Sequence, residues 1–194
     1  RMYWRSTFLL GSFNFERMQA MGFCYTLMPA IRKFYRDDKS AQAAALKRHL
    51  EFYNTHPWVS SVVFGVTAAM EEQKAKGEEI SEETITSVKV GLMGPLAGVG
   101  DPIFWGTARP VLAALGASLA LNGSIVGPLL FFVGINLLRV LTRWYGLKFG
   151  YERGTEMVTE VGGGQLKKIT QMAAIMGLFV MGALVSKWTT IKFP

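Results

Sequence analysis

Charge is scarce in this sequence: Asp, Glu, Lys and Arg make up 18% of its 194 residues, against about 25% in an ordinary soluble domain. A well-solvated globule is therefore not indicated. The single cysteine, Cys24, excludes an intrachain disulfide and any multi-cysteine metal site. Histidine occurs only at positions 49 and 56. No G-x-x-x-x-G-K-[ST] run is present, and the glycine-rich GPLAGVGD stretch at 94–101 follows no strand-like segment. A soluble nucleotide-binding enzyme is disfavoured on both counts. No signal-peptide pattern precedes the amphipathic run that begins after Arg5. The opening at Arg1 rather than a methionine leads us to expect a piece of a longer protein.

What the chain has is apolar sequence in long blocks. Half of its residues are hydrophobic and its mean hydropathy is +0.24. The net charge of +7 is placed informatively: Arg32, Lys33, Arg36, Lys39, Lys47 and Arg48 form one group, and Arg139, Arg143, Lys148, Arg153, Lys167 and Lys168 another. Cations beside apolar blocks match positive-inside topology better than a nucleic-acid groove, so a lipid bilayer and no nucleic acid is the expected environment.

From Phe13 to Tyr35, aromatics and methionines recur at helical spacing, interrupted by Pro29, as in an amphipathic helix at an interface or against a partner. Ser40 offers an N-cap for a second helix through Leu46, Leu50 and Phe52. Both helices are expected on the cytoplasmic side. Asn54-Thr55-His56-Pro57 reads as a turn. A further helix follows with Val59, Val62, Val63, Val66, Ala69 and Met70 as its stripe. The charged stretch from Glu71 to Glu83, broken by Gly77, is expected in water. Ser81 with Glu82 and Glu83 then makes a helix start.

Residues 91–102 hold four glycines and two prolines inside an apolar run. Irregular backbone persists in a bilayer only where protein or a water-filled cavity satisfies its polar groups, and such interrupted segments point to a transporter's binding region. Gly94, Pro95, Gly98 and Gly100 are read as the backbone of this re-entrant segment. Candidate spans follow at 103–121, 124–141 and 169–185, the first two joined by a tight Asn122-Gly123 turn. Each is slightly short of the twenty or so residues of a straight span. The expected fold is mainly α: a polytopic α-helical membrane protein. Residues 1–90 form its amphipathic cytoplasmic or interfacial helices, and 91–194 its membrane region with the Gly/Pro-broken segment.

The runs GLMGPLAGVGDPIFWGT at 91–107, FNFERMQ at 13–19 and HLEFYNT at 49–55 together resemble the IID component of the mannose family of bacterial phosphotransferase systems. The resemblance continues through the three glycines at 162–164 to GALVSKW at 182–188. It implies a multi-pass subunit of the bacterial inner membrane that pairs with a IIC subunit, in higher oligomers of such pairs, to pass a hexose of the mannose or glucose type. IIA and IIB relay phosphate to the sugar through their own histidines, so no phosphohistidine, catalytic residue, cofactor or metal is expected here. Members of the family are longer than this chain, and some also serve as receptors for pore-forming bacteriocin peptides. The competing reading is a membrane scaffold or receptor without transport.

Each candidate residue has a plainer role beside the functional one. Asp101, between Gly100 and Pro102, suits an N-cap as well as a polar position on a sugar route. Asn54 and Glu51 can hydrogen-bond sugar hydroxyls, while Asn54 equally suits the turn. Trp105 can stack on a sugar ring, or pack and anchor as membrane tryptophans commonly do. Gly94 and Gly98 form a small-xxx-small pair suited to close helix approach. His49 and His56 are read as solvated or structural, and the polar run Asn14, Glu16, Arg17 and Gln19 as a cytoplasmic surface.

The cation pattern generates a topological prediction. A cysteine placed at Ser40 is expected to resist membrane-impermeant maleimide in intact cells and to react after permeabilisation; strong labelling from outside would reverse the orientation.

Overall fold

The computed structural model describes residues 1–154. Of these, 1–97 with 141–154 make one compact unit, and Gly98–Val140 belong to another. Among the described residues the chain forms α1 (Met2–Ser6), α2 (Ala20–Phe34), α3 (Lys39–Arg48), α4 (Ser60–Ala75) and α5 (Glu82–Gly100), then a π-helical stretch (Asp101–Ala108), α6 (Arg109–Leu121) and α7 (Val126–Arg153). No strand forms among them; two isolated bridges join Met18 to Asn14 and to Tyr53.

The core of the first unit follows helical periodicity. Phe23, Leu27 and Ile31 of α2 are fully buried at four-residue spacing, as are Val63, Phe64, Val66 and Met70 of α4, which packs on α2. Phe23 lies 4.3 Å from the Tyr53 ring, in close contact, and 5.0 Å from Phe64, centroid to centroid, the latter within the range of favourable aromatic pairing.

Several boundaries differ from the sequence expectation, each for a local reason. Residues 13–19 are not helical, because the Asn14 Oδ1 accepts the N–H groups of Glu16 and Arg17 and turns the chain. Met18 then takes a positive φ of 54°. Asp38, not Ser40, caps α3, its Oδ1 accepting the Ala41 N–H at 2.9 Å. α3 stops at Arg48, so Leu50 and Phe52 lie beyond it. Ser81 does cap α5 through the Thr84 N–H, and Gly77 leaves α4 with a φ of +94°.

Pro29 lies inside α2, where a missing N–H frees the carbonyl four residues earlier. That carbonyl belongs to Tyr25, and the Arg5 guanidinium donates to it at 3.2 Å while lying 4.5 Å from the Tyr25 ring centroid. The short α1 is held on α2 at this point.

Glu71 corrects the expectation of a solvated acidic stretch. It continues the inward stripe of Phe64, Thr67 and Ala68 on α4 and is fully buried. Arg48 Nε donates to its Oε1 at 2.9 Å, His49 Nε2 meets the same oxygen at 2.8 Å, and the Tyr35 hydroxyl donates to Oε2 at 2.7 Å. Arg48 also pairs with Glu82 at the start of α5. Burial alone would raise the Glu71 carboxyl; the hydrogen bonds of His49 and Tyr35 and the charge of Arg48 outweigh it and hold it below the usual carboxylate range. Burial pushes the His49 imidazole below its ordinary value, so it stays neutral and donates from Nε2.

The long helices pack through small residues. In the first unit, a Cβ at Gly65 would strike the α7 backbone near Leu147 and Tyr151, and one at Gly150 would strike Val62. In the second, Gly116 and Gly127 face each other across the α6–α7 hairpin, where either Cβ would meet the opposite backbone. The hairpin turn at Asn122-Gly123 is a Schellman motif: Ser124 N–H reaches the Leu119 carbonyl and Gly123 N–H that of Ala120.

The segment 91–102 is not broken. α5 runs through Gly94 and Pro95 to Gly100, and the helix widens over Asp101–Ala108 instead. Pro102, the second residue of that widening, and Pro110, just beyond it, each lack an N–H, and the Thr107 hydroxyl donates to the Pro102 carbonyl five residues back at 2.9 Å. Two continuous helical elements, Glu82–Leu121 of 40 residues and Val126–Arg153 of 28, are long and apolar enough to cross a membrane, and only 11% of the apolar window in each is buried. The expected span 103–121 falls within the first of these, and 124–141 overlaps the second, which begins two residues later; 169–185 lies outside the described residues.

Removing one partner from a buried ion pair typically costs about 3–5 kcal/mol. Glu71→Leu is expected to destabilise the detergent-solubilised protein by that order in thermal or chemical unfolding, with partial recovery when Arg48→Met is added.

Candidate functional site

Two of the stretches singled out in the sequence, 13–19 and 49–55, come together beside the middle of α5. Gln19 is buried between them: its backbone N–H donates to the Tyr53 carbonyl at 2.8 Å. Its side-chain Nε2 donates to the Thr55 carbonyl at 2.8 Å, and its Oε1 accepts the Thr55 N–H at 3.3 Å. The Thr55 hydroxyl donates to the Met93 carbonyl at 2.8 Å, and the Asn54 N–H points at the Met93 sulfur at 3.2 Å. The connection between α3 and α4 is thereby sewn to the helix two residues before Pro95.

Four residues earlier, along the inner side of α5, Lys89 is fully buried. Its ammonium lies 3.6 Å from Glu51 Oε2, 3.5 Å from the Arg48 carbonyl and 5.6 Å from the Phe23 ring centroid. Glu51, an exposed candidate, thus neutralises a buried cation. Sequence reading did not select Lys89, and the only signal for it is its spacing from the buried Ile85 and Leu92. Asn54 is exposed, with its side chain on the surface of the same junction.

Asp101 and Trp105 belong to the second unit. Asp101 is exposed and sits inside continuous helix, so it caps no helix beginning at Pro102; the residue preceding the π-helical stretch is Gly100. Trp105 is 39% exposed, and one face of its ring carries the Arg109 guanidinium, 5.3 Å from the centroid. A Cβ at Gly91, Gly94 or Gly98 would meet nothing within 4 Å, so the small-residue face of α5 packs on no described part of the chain. Gly100 is buried and Pro95 exposed.

Both histidines are buried rather than solvated. His49 Nε2 is committed to Glu71. His56 Nδ1 accepts the Trp58 N–H at 3.3 Å, and burial, aided by the Arg143 charge, lowers its imidazole to about 4. Neither ring presents an open nucleophilic nitrogen at the surface. The chemistry available here is hydrogen bonding and charge placement.

A family profile described as the PTS system mannose/fructose/sorbose family IID component matches residues 1–194. The chain is 61% identical to the fructose permease IID component of Bacillus subtilis (strain 168), covering all of this chain and 70% of the relative. It is 57% identical to the mannose-specific EIID component of Escherichia coli (strain K12), covering all of this chain and 68% of that protein. Among solved structures it is similar to a chain in the cryo-electron-microscopy structure of the mannose transporter ManYZ with microcin E492. There the TM-score is 0.78 and the identity 57%, over all of this chain and 70% of the other.

The buried imidazoles make stability depend on pH. Both are lowered in the folded chain, so the unfolded chain binds their protons first, and stability falls once the pH drops below about 6.5, the ordinary histidine value. For His56 the loss continues to about pH 4. Glu71, held low, contributes stability above the ordinary carboxylate range, about 4.3, and this is lost as the pH falls through its folded value. Unfolding midpoints are expected to drop on acidification from pH 7 to 5, and His56→Gln is expected to flatten the slope.

Proposed function

The chain belongs to the mannose/fructose/sorbose-family IID components of the phosphotransferase system, and on that premise we propose that it joins a IIC membrane subunit to form the uptake pathway for a hexose of the mannose or glucose type. IIA and IIB phosphorylate the sugar in this reading, and this chain carries none of the phosphate. The observation that carries the proposal is the pair of long apolar helices with so little of their surface buried by the chain itself. Leu121, Ile125, Phe132 and Leu137 are among the exposed side chains. Lipid alone can cover them, but it does not satisfy an exposed carboxylate such as Asp101. A companion subunit with a polar route does.

In this reading both helices cross the bacterial inner membrane as parts of a multi-pass protein, and IIC–IID pairs assemble into a higher oligomer. The open face at Gly91, Gly94 and Gly98 accepts a close-packed helix of the IIC subunit. Asp101 and Trp105 face the sugar route, while Glu51 and Asn54 stand where the cytoplasmic loops reach α5. The likeness to a transporter solved with microcin E492 favours a second role, as a surface for such bacteriocin peptides.

Uptake of radiolabelled hexose separates transport from scaffolding. Cells carrying this chain with a IIC subunit and the phosphocarriers are expected to take up sugar, whereas the chain alone in proteoliposomes is not. Asp101→Asn, which removes a charge without breaking the helix, is expected to assemble with IIC and lose uptake by at least tenfold, about 1.4 kcal/mol at the barrier. Normal uptake by a well-assembled variant removes Asp101 from the route, and assembly without uptake of any hexose by the unaltered pair favours the scaffold.

A further inference from the structure

A cavity of about 680 Å³ opens between α1, the second half of α2 and the end of α7. Its walls combine two chemistries. Arg32 and Lys33 of α2 stand on it, both exposed, and among the described residues neither makes an ion pair. Its other walls are apolar: Met2, Pro29, Ala30, Phe34 and Leu147, with Trp144 and Tyr151 presenting aromatic surfaces. An adjoining pocket of about 320 Å³ shares Ala30, Phe34, Trp144 and Leu147 and adds the methyl of Ala68, with Lys148 at its edge. Arg5 also lines the cavity, but it is engaged on the Tyr25 carbonyl and ring. Tyr3 is held edge-on to Trp144, 5.6 Å between centroids. Glu72, which also feels the charge of Lys33, is paired with Lys76 at 2.9 Å and with the Tyr151 hydroxyl.

Position in the membrane limits what can occupy such a cavity. α7 has 28 residues, about 42 Å at 1.5 Å per residue, whereas the hydrocarbon core is about 30 Å thick. On the proposed reading that α7 crosses the bilayer, its length exceeds the core, and its aromatic and cationic end is the one that emerges into the headgroup layer. Trp144, Tyr145 and Tyr151 lie there, the aromatics typical of that depth, together with Arg143, Lys148 and Arg153. A water-soluble anion would use the cations and leave the apolar walls wet; a neutral acyl chain would do the reverse. A molecule with a phosphate at one end and a hydrocarbon chain at the other uses both.

We infer that the cavity between α1, α2 and α7 binds one anionic phospholipid, its phosphate between Arg32 and Lys33 and an acyl chain along Ala30, Phe34 and Leu147. The lipid completes the contact of α1 with α7 and holds the amino-terminal arm at the membrane surface. Sugar transport is not required for this binding.

Native mass spectrometry of the delipidated full chain, in complex with its IIC subunit or alone in detergent, tests the inference. Phosphatidylglycerol, phosphatidylcholine and inorganic phosphate are titrated in parallel. Phosphatidylglycerol is expected to be retained about tenfold more strongly than phosphatidylcholine, as two cations near an anionic headgroup allow, and inorganic phosphate is expected neither to be retained nor to compete at equal concentration. Arg32→Gln with Lys33→Gln is expected to abolish the preference, while Lys47→Gln, on α3 outside the cavity, leaves it intact. Ala30→Trp, which fills the apolar wall, is expected to remove retention of both lipids at this site. Equal retention of the two lipids, effective competition by phosphate, or an undiminished preference in the double variant would overturn the assignment. Should the double variant fail to fold, the lipid ratio in the unaltered protein and the Ala30→Trp result decide.

Discussion

A carboxylate held out of water has to be met by donors from several directions at once, and Glu71 imposes that demand on the first unit. The donors come from the end of α2, the end of α3 and the residue after it, while Arg48 reaches on to the start of α5. No single helix could supply them. The path of the chain around α4 is therefore constrained by electrostatics as much as by the aromatic core centred on Phe23. From His49 the chain continues past Lys89 and Met93, and so the α3–α4 connection arrives at α5. Tyr53, Thr55 and Gln19 then close the junction through one backbone hydrogen bond and the Gln19 side-chain amide.

Helices exposed to lipid need another source of specificity, because hydrocarbon solvates an apolar side chain as well as a neighbouring helix does. Backbone proximity supplies it within each unit. Gly65 lets α4 approach the α7 backbone, and Gly116 with Gly127 does the same between α6 and α7. A methyl group at any of these positions would push two helices apart and release the dispersion contacts of every residue along the seam.

Much of the helical order was legible. Asn122-Gly123, Gly77 and Ser81 have backbone or capping chemistry that acts within a few residues, so reading them needs no knowledge of distant partners. Glu71 was not legible as a buried group, since an acidic residue at a helix end is ordinarily solvated; only its place on the stripe through Phe64 and Thr67 marks it. The glycines and prolines of 91–102 suggested a break by the rules of helices in water. Here Pro95 and Pro102 are absorbed, the latter by a widened turn that Thr107 supports, and Asp101 becomes a helix residue rather than a cap. The family resemblance selected the stretches at 13–19, 49–55 and 91–107. It could not convey that Gln19 and Thr55 are bonded to each other, nor that Lys89 lies unannounced beneath Glu51, because those facts depend on positions brought together by folding.

Pro29 and Arg5 show how a local defect becomes a point of attachment. A proline inside a helix costs about 3 kcal/mol or more, partly through the carbonyl it strands, and here that carbonyl is taken up by a side chain 20 residues earlier. The consequence is genetic. Loss of Arg5 strands the Tyr25 carbonyl only in a chain that keeps Pro29, because any other residue at position 29 restores the N–H and lets α2 satisfy that carbonyl itself. The two positions are thus epistatic, and the order in which they change decides whether lineages pass through a weakened intermediate.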